Sequence, residues 1–121
     1  MNYREIAVDN PDYLHMHCHG PWDVESSKGL WQQIAAMLAQ SNHGKVLIDE
    51  REVDLETSVS IDFKHASFVA DLMRGICNKI AIIDTPENSE SSSFFETVCA
   101  NRSLKLKFFL REGEAIDWLM R

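Results

Sequence analysis

Short apolar runs alternate along the chain with segments in which apolar residues recur every three or four positions. The runs at residues 45–49 and 79–84 are continuous and have polar ends, which is typical of strands buried on both faces of a parallel sheet. Two alternating segments flank a polar turn at residues 9–12 and predict an N-terminal antiparallel hairpin. Alternation over residues 104–108 predicts a last strand at an edge of the sheet.

Four segments have the spacing of amphipathic helices. Asp23 is the expected N-cap of the first, and Ser93 with Glu96 forms a capping box before the third. The second follows the polar segment 50–60, which lacks helical periodicity and is expected to be a solvated loop. The order predicts an α/β domain over residues 1–121, with a mixed sheet of about five strands (the antiparallel hairpin, then parallel strands) covered by about four helices.

Length and composition support an ordinary globular domain. The chain has 121 residues, of which 45% are hydrophobic and 26% charged, and this suits a single domain. The apolar runs are too short for a transmembrane helix, and no signal peptide is visible, so we expect a cytoplasmic protein. An odd number of cysteines without paired spacing, Cys18, Cys77 and Cys99, predicts buried thiols in a reducing compartment.

Charge and motifs exclude several classes of function. The formal net charge of −7 disfavours binding to nucleic acid or to anionic membranes, both of which need clustered positive charge. The sequence also lacks glycine-rich nucleotide motifs, a nucleophile elbow and metalloprotease or dithiol motifs. We therefore expect no catalysis and no cofactor.

Three histidines are the sharpest chemical signal. His15, His17 and His19 alternate along a predicted strand, which points their side chains to one face and suits zinc. No further ligand is identifiable, so a solvated or helix-covered face is the favoured interpretation. A metal-dependent enzyme that uses these histidines ranks last among the functions considered.

Two further groups of residues suggest binding sites. Asp49 and Asp84 follow predicted parallel strands, at the edge where open α/β sheets bind ligands, although aspartate also suits a turn. With Trp22 and Trp31 they outline an expected crevice for a small apolar ligand or lipid. The acidic segment that contains Asp54 and Glu56, together with Ser58 and Ser60, is instead a candidate docking or phosphorylation region; these four residues lie before or at the second helix.

Several segments resemble the SpoIIAA-like family, a relative of the STAS domains of anti-sigma factor antagonists. They are the hairpin start, Gly20 at the end of the second strand, Lys-Val-Leu-Ile-Asp at 45–49, Lys-Ile-Ala-Ile-Ile-Asp at 79–84, and the closing residues 107–109 and 114–119. The resemblance implies partner binding instead of catalysis. In STAS relatives a serine of an Asp-Ser-Ser-Gly segment is phosphorylated, and residues 54–62 lack that motif.

The leading prediction is accordingly a cytoplasmic STAS-like regulatory module that binds a protein partner through residues 50–60 and the following helix. A homodimer is compatible with this function. The alternative is a small-ligand or lipid carrier with an apolar crevice.

Overall fold

The computed structural model describes residues 4–8, 12–40, 44–56 and 58–121, with the backbone alone for residues 4–8 and 59. Five strands form one sheet in chain order: β1 (Arg4–Val8), β2 (Leu14–Pro21), β3 (Lys45–Asp54), β4 (Lys79–Ile83) and β5 (Leu106–Phe109). Four α-helices are α1 (Val24–Ala39), α2 (Val59–Met73), α3 (Ser89–Asn101), which follows a 3₁₀ turn at Pro86–Asn88, and α4 (Glu112–Met120).

The strands from β2 to β5 are parallel to one another, whereas β1 pairs antiparallel with β2. The α/β class and the four helices expected from periodicity are confirmed. The connection between β1 and β2, predicted as a turn at 9–12, lies largely outside the described residues. No described helix has the length and apolar character needed to cross a membrane.

Helices cover both faces of the sheet. Val46, Ile48 and Ile82 face α1, α2 and α3, in the larger core cluster. Leu47 and Ile83 face α4 on the other side. Because successive residues of a strand point to opposite faces, burial on both faces explains the unbroken apolar runs of β3 and β4.

Strand β3 is longer than predicted. Residues 50–54 were expected in a loop, but they continue β3 and pair with the end of β2, where Glu52 lies opposite His19 and Asp54 opposite Pro21. Val53 is buried within this extension. Pairing with a neighbouring strand therefore outweighs the low strand propensity of the acidic residues.

The start of α3 was also predicted wrongly. The helix begins at Ser89, so Ser93 is not its N-cap, and Glu96 makes a tertiary contact in place of a capping box. Its carboxylate accepts a hydrogen bond from the Phe108 backbone N–H at 2.8 Å, which satisfies a donor on the edge strand β5. The Asp23 cap is confirmed, since this carboxylate accepts from the Ser26 N–H.

The three cysteines are buried and form no disulfide among the described residues. Burial raises the pKa of both Cys77 and Cys99 to about 12, so these two thiols stay protonated at neutral pH.

We predict that Ile48→Asp and Ile82→Asp each prevent stable folding. Both side chains are at most 2% exposed in the central strands, and an unpaired carboxylate there costs several kcal/mol. Lys105→Glu, at an exposed position, is the control and should change stability by less than about 1 kcal/mol. Urea unfolding followed by circular dichroism measures all three variants. Wild-type stability in either aspartate variant would contradict the strand order.

Helix α4 should contribute to stability through Leu119, which is 0% exposed. Leu119→Ala removes buried methyl groups and leaves a cavity, which costs about 2–5 kcal/mol. The neighbouring Met120 is 43% exposed, so Met120→Ala should cost well under half as much. Equal urea midpoints for the two variants would show that burial of the Leu119 side chain does not stabilise the domain.

Candidate functional site

A narrow pocket opens at the carboxyl ends of β3 and β4, on the sheet face covered by α1, α2 and α3. Its floor consists of six buried residues, Ser27, Trp31, His65, Ile82, Asp84 and Ser92. Half-buried residues form its rim, among them Trp22, Glu50, Asp62, Phe95 and Phe108. The space in the pocket that the centres of water molecules can occupy is about 50 Å³. Each water needs roughly 10–15 Å³ on that measure, so a few waters or a small polar group fill it, and a lipid chain does not fit.

Parallel topology brings these side chains together. Glu50 lies on β3 beyond the last residue that pairs with β4, and Asp84 directly follows β4. Each of the α-helices that cover this face follows a parallel strand and therefore begins near the strand's carboxyl end. Side chains from the beginning of these helices consequently meet in the pocket at the carboxyl ends of β3 and β4.

A buried hydrogen bond joins the two helices at the floor of the pocket. The Ser27 hydroxyl of α1 lies 2.7 Å from Nε2 of His65 on α2. Three aromatic rings surround the imidazole, with centroids 5.5 Å away for Trp22, 5.9 Å for Phe95 and 6.3 Å for the stacked Phe68. Aromatic rings thus surround the imidazole, and the Ser27 hydroxyl is its hydrogen-bond partner.

This environment keeps His65 neutral. Burial, followed by the positive charge of Lys28, lowers the pKa of His65 to about 4, against a smaller opposing effect of Asp62. Nδ1 of His65 is buried and has no hydrogen-bond partner among the residues that the structure describes. A neutral imidazole carries one N–H, so one ring nitrogen must act as an acceptor.

Carboxylates dominate the charge of the pocket. Asp84 is 6% exposed and accepts hydrogen bonds from the Thr85 N–H at 2.8 Å and from Asn88 Nδ2 at 2.9 Å. Asp62 accepts from the Ser91 hydroxyl at 2.6 Å. With Glu50, three carboxylates line the pocket, and no described lysine or arginine does.

An open acidic groove continues from the pocket between the first turns of α2 and α3. Its lining includes Ser58, Asp62, Glu87 and Glu90. Ser58 is the N-cap of α2, and its hydroxyl accepts from the Ile61 N–H at 3.3 Å. On the same turns of α2, Ile61 is 38% exposed and Phe63 is 48% exposed. We call Ser58, Ile61, Phe63, Glu87 and Glu90 together the α2 start surface.

Comparison with solved structures decides the fold. An anti-sigma factor antagonist from Mycobacterium paratuberculosis superimposes with a TM-score of 0.65 at 15% sequence identity, over 98% of this chain and 95% of that one. An uncharacterised protein with a SpoIIAA-like fold from Shewanella loihica gives a TM-score of 0.57 at 21% identity, over 98% of this chain and 94% of that one. The chain has a SpoIIAA-like fold. No family model and no curated protein matches the sequence.

The SpoIIAA-like fold places the predicted docking residues at one edge of the sheet. Asp54 ends β3, Glu56 follows it, and Ser58 and Ser60 lie at the start of α2. All four side chains are exposed. The structure thus groups them in space, and their role remains a prediction.

Of the four residues assigned to a crevice, Trp22, Trp31 and Asp84 line the pocket, but Asp49 does not. Asp49 lies on the other face of the sheet, because its position in β3 has the same parity as Leu47, which faces α4. Its carboxylate binds Arg51 Nη2 at 2.7 Å and Arg51 Nε at 3.0 Å. Burial raises the pKa of Asp49, but the hydrogen bonds and charge of Arg51 outweigh it and lower the pKa below its usual value.

The three histidines of β2 do not converge on a common point in the described structure. Pairing between β2 and β3 shifts register between His17 and His19, and the centroids of these two rings are 6.3 Å apart. His17 instead contacts carboxylates of β3, with Nε2 3.3 Å from Glu52 and Nδ1 3.7 Å from Asp49. Within the described residues, no three His, Cys, Asp or Glu side chains are placed to hold a metal ion. The favoured interpretation of His15, His17 and His19, a solvated or helix-covered face instead of a zinc site, stays a prediction.

Sequence reasoning missed His65 and Ser27, two of the six residues in the floor of the pocket. A signal was present, since His65 immediately precedes Ala66 in the apolar stripe of a predicted helix. A histidine at such a position needs a buried partner. Ser27 is too distant in sequence to be identified as that partner.

We predict that the free energy of unfolding falls as the pH drops from 6.5 towards 4, the interval over which the unfolded state protonates His65 and the folded state does not. This loss amounts to about 3 kcal/mol, because each pKa unit corresponds to about 1.4 kcal/mol. His65→Gln should flatten this part of the profile, and His15→Gln serves as the control for removal of a histidine outside the pocket lining. Urea unfolding at a series of pH values measures the effect. Parallel profiles for His65→Gln and the wild type would exclude His65 as the titrating group.

Proposed function

We propose that this chain is a non-catalytic, cytoplasmic regulatory module that binds a basic protein partner at the α2 start surface. The observation that carries the proposal is an acidic groove at the start of α2, where its lining residue Asp62 is flanked in sequence by the exposed apolar residues Ile61 and Phe63. Exposed apolar residues with a polar rim are typical of protein interfaces, in which aromatic side chains are enriched. The similarity of the fold to that of an anti-sigma factor antagonist supports a regulatory role.

Charge defines the kind of partner. The groove contains Asp62, Glu87 and Glu90, and Glu56 precedes it in the chain. Carboxylates of one sign attract a segment rich in lysine or arginine and repel acidic competitors. Binding should therefore weaken as salt concentration rises, since part of the attraction is screened.

We extend the proposal to Ser58 as the position of a regulatory phosphate. The residue is exposed at the N-cap of a helix of 15 residues, where the helix dipole favours an anion. The neighbouring carboxylates repel a phosphate at this position. Phosphorylation would add to the negative charge of the α2 start surface. Phosphopeptide mapping of the native protein should find phosphate on Ser58, and consistent absence of phosphate from residues 55–64 would exclude this extension.

Serine substitutions on α2 test the partner surface. Ile61→Ser and Phe63→Ser should each reduce the amount of specific partner captured from a native extract by roughly tenfold or more, the loss typical of an interface hot spot. Ile76→Ser is a matched control, because Ile76 is 37% exposed, against 38% for Ile61, and lies beyond the opposite end of α2. Quantitative mass spectrometry of the captured proteins supplies the measurement, and sedimentation of the purified chain shows whether the partner is a second copy.

The control separates the two outcomes. A protein that is lost with Ile61→Ser and Phe63→Ser but retained with Ile76→Ser identifies the surface. Equal capture by all three variants, each shown to be folded by circular dichroism, would reject the α2 start surface as the binding site.

A further inference from the structure

We propose that the pocket around His65 is a binding site for a primary ammonium group, carried by a small alkylamine or by a lysine side chain. The proposal goes beyond the partner surface, because it rests on the lining of the pocket, which contains neither Ile61 nor Phe63. Four observations support it: the charge of the lining, a buried ring nitrogen of His65 without a hydrogen-bond partner among the described residues, the aromatic walls and the volume.

The charge of the lining suits a cation. Glu50, Asp62 and Asp84 line the pocket, and the described lining contains no lysine or arginine. The base whose positive charge acts on His65 is Lys28, whose Nζ lies 5.3 Å from the centroid of the Phe68 ring and outside the pocket lining. A cation that leaves water for this pocket therefore meets more negative than positive charge, which offsets part of its desolvation cost.

The acceptor is the imidazole of His65. His65 is 4% exposed and lines the pocket. Its Nδ1 has no hydrogen-bond partner among the described residues. When Nε2–H donates to the Ser27 hydroxyl oxygen at 2.7 Å, Nδ1 carries a lone pair. An ammonium group has three donors and no acceptor, so it can donate to Nδ1 and also to carboxylate oxygens of the lining. A buried acceptor without a donor is destabilising, and such a ligand would remove that penalty.

Aromatic walls and volume narrow the class of ligand. Trp22, Trp31, Phe95 and Phe108 line the pocket, and aromatic rings attract cations through their negative faces. The volume of about 50 Å³ available to the centres of water molecules suits the ammonium end of an alkylamine. A divalent metal is disfavoured, because within the described residues no three candidate ligands are placed to hold one.

Titration of the full-length, nitrogen-15-labelled chain with n-butylammonium chloride tests the proposal. The Trp22 and Trp31 indole N–H signals and the His65 imidazole signals should shift saturably, with a dissociation constant in the millimolar range expected for so small a ligand. The neutral isostere 1-butanol, at matched ionic strength, should produce no saturable shift. Capped lysine and capped norleucine form a second pair, which shows whether the ammonium group can enter from a polypeptide.

Two matched variants localise the effect. Glu50→Gln should weaken n-butylammonium binding by about tenfold, the change that corresponds to one favourable charge contact. Glu52→Gln removes the same charge two residues away, from a side chain outside the pocket lining, and should change binding by less than about twofold. Since the spectra report folding directly, His65→Gln serves as the second test variant if Glu50→Gln is unfolded, and it should also weaken binding.

Each outcome decides the proposal. Saturable shifts with n-butylammonium alone support it, and an additional response to capped lysine, but not to capped norleucine, extends it to polypeptide ligands. Equal responses to n-butylammonium and 1-butanol, no saturable response, or equal weakening by Glu50→Gln and Glu52→Gln would overturn it. None of these results depends on whether the α2 start surface binds a partner.

Discussion

Parallel pairing of β2, β3, β4 and β5 between two layers of helices is the constraint on which the rest of the structure depends. Because these strands run in one direction, the four helices all begin at the carboxyl edge of the sheet. A helix N-terminus carries partial positive charge, and each of these helices has an acidic residue at its cap or first turn, namely Asp23, Asp62, Glu90 and Glu112. Acidic residues at this edge therefore stabilise the helix N-termini. One of them, Asp62, also lines both the pocket and the groove.

The opposite edge carries the complementary charge. Lys79 donates from Nζ to the Trp118 carbonyl at 2.9 Å and to the Arg121 carbonyl at 3.1 Å, at the C-terminal end of α4. Partial desolvation, followed by the positive charges of Lys45 and Lys105, lowers the pKa of Lys79. This separation of charge gives the molecule a dipole moment. The dipole would orient the proposed basic partner towards the carboxyl edge of the sheet as the two proteins approach.

Local features were predictable from the sequence, and features made by distant contacts were not. The strands at 45–49 and 79–84 and the Asp23 cap depend on neighbouring residues and are confirmed. The extension of β3 to Asp54 depends on pairing with β2, and the Ser27–His65 bond joins residues 38 positions apart. The face of Asp49 follows from strand parity, but only once Leu47 is known to contact α4. The pocket was thus only partly predictable, because its polar floor combines Ser27, His65 and Ser92 from three helices with Asp84, which follows β4.

The central claim is that function resides at the carboxyl edge of the sheet. Amide hydrogen exchange of the full chain, with and without the partner isolated by affinity capture, tests this claim most directly. The account predicts slower exchange in the first turns of α2 and α3, at residues 58–64 and 87–94, where the α2 start surface lies. Protection confined to residues 76–79 and 103–105, at the amino edge of the sheet, would contradict it.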